Sequence, residues 1–196
     1  MEFIAHRVNT IEELRKVPKE YGVELDLRDF GERLILQHDP FMDGEDFEEY
    51  LKYYNHGTMI LNIKSERIEY RVQELLKKYK ISNYFFLDCS FPMINSLVNL
   101  SESKIALRFS EFEGDDTIIK MAGKVTWIWV DCFTKLPLTI SNYKILKENG
   151  YKLCLVSPEL QSQESKIEKY KDYLLKNGIF LDAICCKVKN IPKWNN

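Results

Sequence analysis

Glu24 and Asp26 stand two residues apart in the segment GVELDLR, where they and Arg28 alternate with Val23, Leu25 and Leu27. Side chains two apart on a strand point the same way, so the three charged groups share one face. For an isolated strand that face would simply be solvated. A second apolar segment, TMILNI, repeats the spacing with Asn62 and, one step past its end, Lys64. Glu24, Asp26 and Asn62 are hard oxygen donors, a set suited to one divalent cation, Mg²⁺ or Ca²⁺, rather than to zinc. The chain has only three histidines, and two of them, His6 and His38, close apolar runs (EFIAH and RLILQH). Two histidines beside such a site form an acid/base pair for proton transfer. Arg7 and Lys64 add cations able to hold an anion, for which phosphate is the natural candidate. Together these groups point to phosphoryl transfer on a diester.

The elements that must position them are legible as apolar runs. EFIAH, GVELDLR, TMILNI, NYFFLD, KIALRF, VTWIWVD, YKLCLVS and DAICC read as strands, mostly continuous in apolarity as in parallel sheets buried on both faces. RLILQH is an extra strand, forming a hairpin with the second through a turn at Phe30-Gly31. Helical patterns fill the gaps: a capping box at Thr10–Glu13, then EDFEEYLKYY, SERIEYRVQELLKKYK, PMINSLVNL, the short DDTIIKMA, TISNYKILKENG and ESKIEKYKDYLLKNG. Eight strands separated by helices predict an α/β fold, a compact (β/α)8 TIM barrel with an extra hairpin strand after strand 2. At 196 residues several helices must be short. An open doubly wound sheet is the competing arrangement, but no GxGxxG or P-loop supports it. In a barrel, active sites lie at the C-terminal strand ends. His6, Arg7, Glu24, Asp26, His38, Asn62, Lys64, Ser90, Arg108, Asp131, Glu159 and Lys187 all fall there. Arg108, Asp131 and Lys187 are read equally well as surface ion-pair partners. Glu159 has an even claim to a pocket role, and Trp127 and Trp129 are expected to pack the wall.

Composition sets the frame. A net charge of −2 gives no global basic field, so nucleic acid is not expected as a partner. No run approaches a membrane span, and the start MEFIAHRV has no signal core, so the expected location is cytoplasmic. Five cysteines form no CxxC pair and are expected to be reduced and mostly buried. No linker or repeat interrupts the chain, and residues 1–196 are expected to form a single domain.

The motifs AHRV, VELDLR, LQHDP and LNIKS resemble, in order and strand position, those of the glycerophosphodiester phosphodiesterase family, within the phospholipase-C-like barrel phosphodiesterases. That family's pattern is His-Arg-Gly after the first strand, Glu-x-Asp on the second, His-Asp after the hairpin and Glu-x-Lys on the third. Ser90-Phe91 after the fourth strand is similar too. The resemblance implies a metal-dependent hydrolase with His6 as base, His38 as acid and Lys64 as electrophile. It implies Glu24, Asp26 and Asn62 as ligands, Arg7 and Ser90 on the phosphate, and a cyclic phosphate intermediate. The substrate would be a small phosphodiester: a lipid headgroup diester, a polyol phosphate or a nucleotide-linked polyol. A cyclising lyase and an inactive phosphate-binding barrel are the alternatives. Three departures stand out. Val8 replaces a glycine, Asn62 replaces a glutamate, and residues 40–59 are too few to carry the family's inserted cap.

Overall fold

The structure, a computed structural model, describes residues 1–195. Its strands are β1 (Glu2–Ala5), β2 (Gly22–Phe30), β3 (Arg33–Leu36), β4 (Glu45–Asp46), β5 (Met59–Ile63), β6 (Tyr84–Leu87), β7 (Ala106–Phe109), β8 (Trp127–Val130), β9 (Lys152–Val156) and β10 (Ala183–Cys186). Between them run α1 (Ile11–Leu14), α2 (Phe47–Leu51), α3 (Glu69–Lys78), α4 (Phe91–Asn99), α5 (Asp116–Lys120), α6 (Ile140–Glu148), α7 (Ile167–Lys176) and α8 (Ile191–Asn195). All eight expected strands and the hairpin strand are present.

Eight strands pair in parallel in the order β6-β5-β2-β1-β10-β9-β8-β7, a sheet that curls around a concave face. The outer strands β6 and β7 share no ladder; one parallel bridge joins Phe86 of β6 to Ile105, the residue before β7. The antiparallel β3 extends the upper half of β2, pairing Leu27 with Leu36 and Phe30 with Arg33. The turn is therefore Gly31-Glu32, one residue later than the sequence suggested. Gly31, at φ +61°, takes the left-handed first position that such two-residue turns favour. The two-residue β4 beside β3 was not foreseen.

Alternation sorts each strand between two cores. Ile4, Ile60, Phe85, Leu87, Trp127, Trp129, Cys154 and Cys185 fill the concave face. Phe3, Val23, Leu25, Leu27, Met59, Leu61 and Ile63 face outward under the helices. Trp127 stacks on Phe85 with ring centroids 4.6 Å apart, the wall packing expected of it. The helices begin where capping chemistry allows. Thr10 and Thr139 close reciprocal capping boxes with Glu13 and Asn142, and Asp46 and Ser90 cap α2 and α4. Gly150 and Gly178, both at positive φ, follow α6 and α7. Among the described residues no helix is long and apolar enough to cross a membrane, and all five cysteines are free thiols.

Candidate active site

Because the eight strands run one way, their C-terminal ends share a rim, and at that rim lies a cavity of about 270 Å³. A larger cavity of about 360 Å³ sits elsewhere, between α7 and the chain ends, but Lys171 is the only charged side chain lining it. Chemistry, not volume, selects the rim. Glu24 and Asp26 answer the puzzle of the charged strand face. They point to the concave side at only 1% exposure each, and are not solvated.

The first wall of the cavity is built by β1, β2 and β5. Register places Asp26 beside Asn62, and Glu24 lies two residues before Asp26 on the same face. Glu24 Oε1 accepts from Asn62 Nδ2 at 2.8 Å, and Oε2 accepts from the Arg7 backbone N–H at 2.8 Å. Asp26 Oδ2 accepts from Asn9 Nδ2 at 2.8 Å, with Arg7 Nε at 3.4 Å, while Lys64 Nζ stands 3.5 Å from Oδ1. Burial, and then the Asp26 charge, push the Glu24 carboxyl up to about 7. His6 Nε2 lies 3.7 Å from Glu24 Oε2. Burial and then the Arg7 charge hold its imidazole down to about 4, so it is neutral near pH 7. Arg7 itself is left-handed at φ +55°, and this turn aims its N–H at Glu24. The strain falls on Arg7, and Val8, where a glycine was expected, sits buried with ordinary backbone.

The second wall comes from β6 to β9. Arg108 Nη2 donates to Asp88 Oδ1 at 2.5 Å and Nη1 donates to Asp131 Oδ2. Gln161 Nε2 and the Cys132 N–H donate to Asp131 Oδ1 at 2.8 and 2.9 Å. Lys64 Nζ, 3.8 Å from Asp88 Oδ2, links the two walls. Asp88 is also left-handed, at φ +60°. Arg108 and Asp131 are thus cavity residues, not surface ion-pair partners. Asn9 and Gln161 were missed. Asn9 comes from the loop after β1 and Gln161 from the short 3-10 helix Pro158–Gln161 after β9, and their sequence context carries no chemical signature.

Four candidate site residues, Asp26, His38, Ser90 and Glu159, do not line the cavity, and neither does the exposed Lys187; Asp26 is buried beside Glu24. The His38 ring is 40% exposed and turned to Asp39, Nδ1 to Oδ1 at 2.7 Å. Its backbone is fastened to the site, since Gln37 N donates to Asp26 O at 2.9 Å and Arg28 Nη2 to His38 O at 2.9 Å. Ser90 caps α4 and donates to Glu66 Oε1 at 2.5 Å. Glu159 is buried, accepting from the Lys187 N–H at 3.0 Å and from Ser157 Oγ. It braces the rim from below. His56, the third histidine, bonds the Val17 carbonyl at 3.0 Å, away from the site.

The Glu24–Asp26–Asn62 set fits a divalent cation. Asn62 Oδ1 is buried with no hydrogen-bond partner, an oxygen left available for a positive group. Burial raises Glu24 first and the Asp26 charge second, and a cation there would offset both. Among the described residues no third acidic, histidine or cysteine side chain joins the two carboxylates, so a third oxygen ligand would have to come from Asn62.

Neither a protein-family model nor a curated protein matches the chain. Solved structures do. One is a protein of Agrobacterium tumefaciens assigned as a glycerophosphoryl diester phosphodiesterase, with TM-score 0.68 at 12% identity over 99% of this chain and 97% of that one. Another is a glycerophosphoryl diester phosphodiesterase of Parabacteroides distasonis, with TM-score 0.63 at 13% identity over 94% of this chain and 81% of that one. Over nearly its whole length, this chain carries the fold of the glycerophosphoryl diester phosphodiesterases.

Proposed function

We propose that this chain is a metal-dependent phosphodiesterase of the glycerophosphodiester type, built on a closed version of the curled sheet and working by histidine acid/base catalysis. The observation that carries the reading is one cavity lined by a neutral histidine, Glu24 and two cations, with the buried Asp26 paired to both cations. Glu24, Asp26 and Asn62 would hold one Mg²⁺ or Ca²⁺, which when bound supplies Lewis-acid stabilisation of phosphate charge and lowers the pKa of an adjacent hydroxyl. His6, neutral, takes the proton of the attacking substrate hydroxyl at its imidazole. Arg7 and Lys64 balance charge developing on the phosphoryl oxygens. His38 protonates the leaving alcohol from the rim, with Asp39 on its Nδ1 stabilising the imidazolium. A cyclic phosphodiester results, and water opens it as the histidines exchange roles. Ser90 and Glu159 brace the rim. The substrate is a small phosphodiester, and five free thiols suit the reducing cytoplasm.

A second reading, a phosphate-ligand barrel without turnover, has one observation in its favour: the His38 ring stands outside the cavity. A screen of glycerophosphodiesters with Mg²⁺ or Ca²⁺, followed by phosphorus NMR, separates the readings. Hydrolysis that disappears in EDTA is the expected result. A cyclic product that persists means a lyase, and binding without turnover means the second reading. Full activity in EDTA overturns the metal requirement and leaves Lys64 as the electrophile.

A further inference from the structure

The first wall accounts for the phosphate and the proton transfers and leaves the second wall without a task. That wall is built, not incidental. Arg108 is held at both ends, by Asp88 and Asp131, and Asp131 is held in turn by Gln161 and the Cys132 N–H. Asp88 keeps a left-handed backbone at φ +60°, a conformation that costs energy in a non-glycine residue and clusters at ligand sites. Beside the polar groups, Phe133 lines the mouth at 38% exposure, its ring tilted against Phe112 at 6.1 Å.

We propose that this wall selects an uncharged, polyhydroxylated alcohol as the second alcohol of the diester, through hydroxyl contacts to Arg108, Asp88 and Gln161 with Phe133 under the carbon face. The inference rests on the phosphodiesterase reading of the same cavity. Three features carry it. First, both carboxylates are already spent on Arg108, and Asp88 also faces Lys64, so no free negative charge is left for a cationic headgroup. A choline or ethanolamine group would instead meet the Arg108 guanidinium. Second, fixed donors and acceptors in alternation match hydroxyls, each of which donates and accepts. Third, the cavity's volume of about 270 Å³ has room for a polyol. A site built to hydrogen-bond hydroxyls discriminates strongly, because an analogue without them leaves its polar groups unpaired.

The test compares kcat/KM, with divalent cation supplied, for glycerophosphoglycerol and glycerophosphoinositol against glycerophosphocholine and glycerophosphoethanolamine. The polyol diesters are expected to be better by roughly tenfold or more. Gln161→Leu should shrink that ratio several-fold. Arg108→Met should shrink it further, although it strips Asp88 and Asp131 of their shared cation and can fail to fold, which is why Gln161→Leu is the primary variant. Equal or better turnover of the amine diesters, or an unchanged ratio in Gln161→Leu, overturns the proposal. Should no diester turn over, the phosphodiesterase reading falls. Calorimetric titration with inositol phosphate against phosphocholine then decides the wall's preference: tighter inositol phosphate supports it, and equal or weaker binding overturns it.

Discussion

Burial drives His6 and Glu24 in the same direction, toward their neutral forms, and the consequences for each can be measured. For His6 a neutral ring is a ring that accepts a proton. His6→Ala is expected to lose about 10²–10⁴-fold in kcat, whereas His56→Ala, whose ring only bonds the Val17 carbonyl, should be near normal. Equal losses would mean that His6 is not the base. For Glu24 the raised value means that the native state resists ionising it. Its contribution to stability is complete below the ordinary carboxylate value and is lost as pH rises through about 7. Metal-free protein should therefore lose stability as pH rises from 4.5 to 8 relative to Glu24→Gln, as read by urea denaturation in EDTA. A parallel pH dependence in the two proteins would show Glu24 ionised from the start. At this scale the sequence was informative where motif and strand position coincide, as for His6, Glu24, Asp26 and Lys64. It was silent on Gln161 and Asn9, because the conformation of the segments after β9 and β1 brings them in. It left Arg108 and Asp131 ambiguous, because only the β7–β8 register and the loop after β8 bring their side chains together.

The strands carry the site because their spacing at one junction is unusually tight. A Cβ added at Gly22 would lie 2.4 Å from Ile4 Cδ1 and 2.4 Å from the Thr58 carbonyl oxygen, so only glycine lets β1, β2 and β5 converge there. Gly22→Ala is expected to destabilise the protein by about 1–3 kcal/mol and to weaken divalent-cation binding, since it shifts the strand bearing Glu24 and Asp26. Unchanged stability would mean that the junction relaxes freely. Strands were read well because continuous apolar runs leave few alternatives. Helices were read too long. The pattern suggested a helix through residues 65–80, but α3 starts at Glu69 with no side-chain cap. Amphipathic periodicity runs on into turns that share the buried face, and so does not mark where hydrogen bonding ends. The two-residue β4 left no periodic trace at all.

At the scale of the molecule, the eightfold rhythm of strands predicted the curl of the sheet, while the strength of each junction depended on registers that no single strand reveals. Seven junctions are ladders, while between β6 and β7 there is only the isolated bridge from Phe86 to Ile105, just before β7. Native-state hydrogen exchange should find its lowest protection on either side of that bridge, and uniform protection around the sheet would contradict it. The same seam has a consequence for how the chain could be rewired. Met1 and Trp194 border one cavity, so a short peptide could join these two positions. Opening the chain in the loop at residues 101–103 would then place new ends beside the weakest junction, where the cut breaks no ladder. Such a circular permutant would begin with the half that bears Arg108 and Asp131 and finish with the half that bears His6, Glu24 and Lys64. The β7–β9 part of the second wall, with Arg108 and Asp131, would then be made before the first wall, while β6 and Asp88 would still follow it, each keeping its place in space.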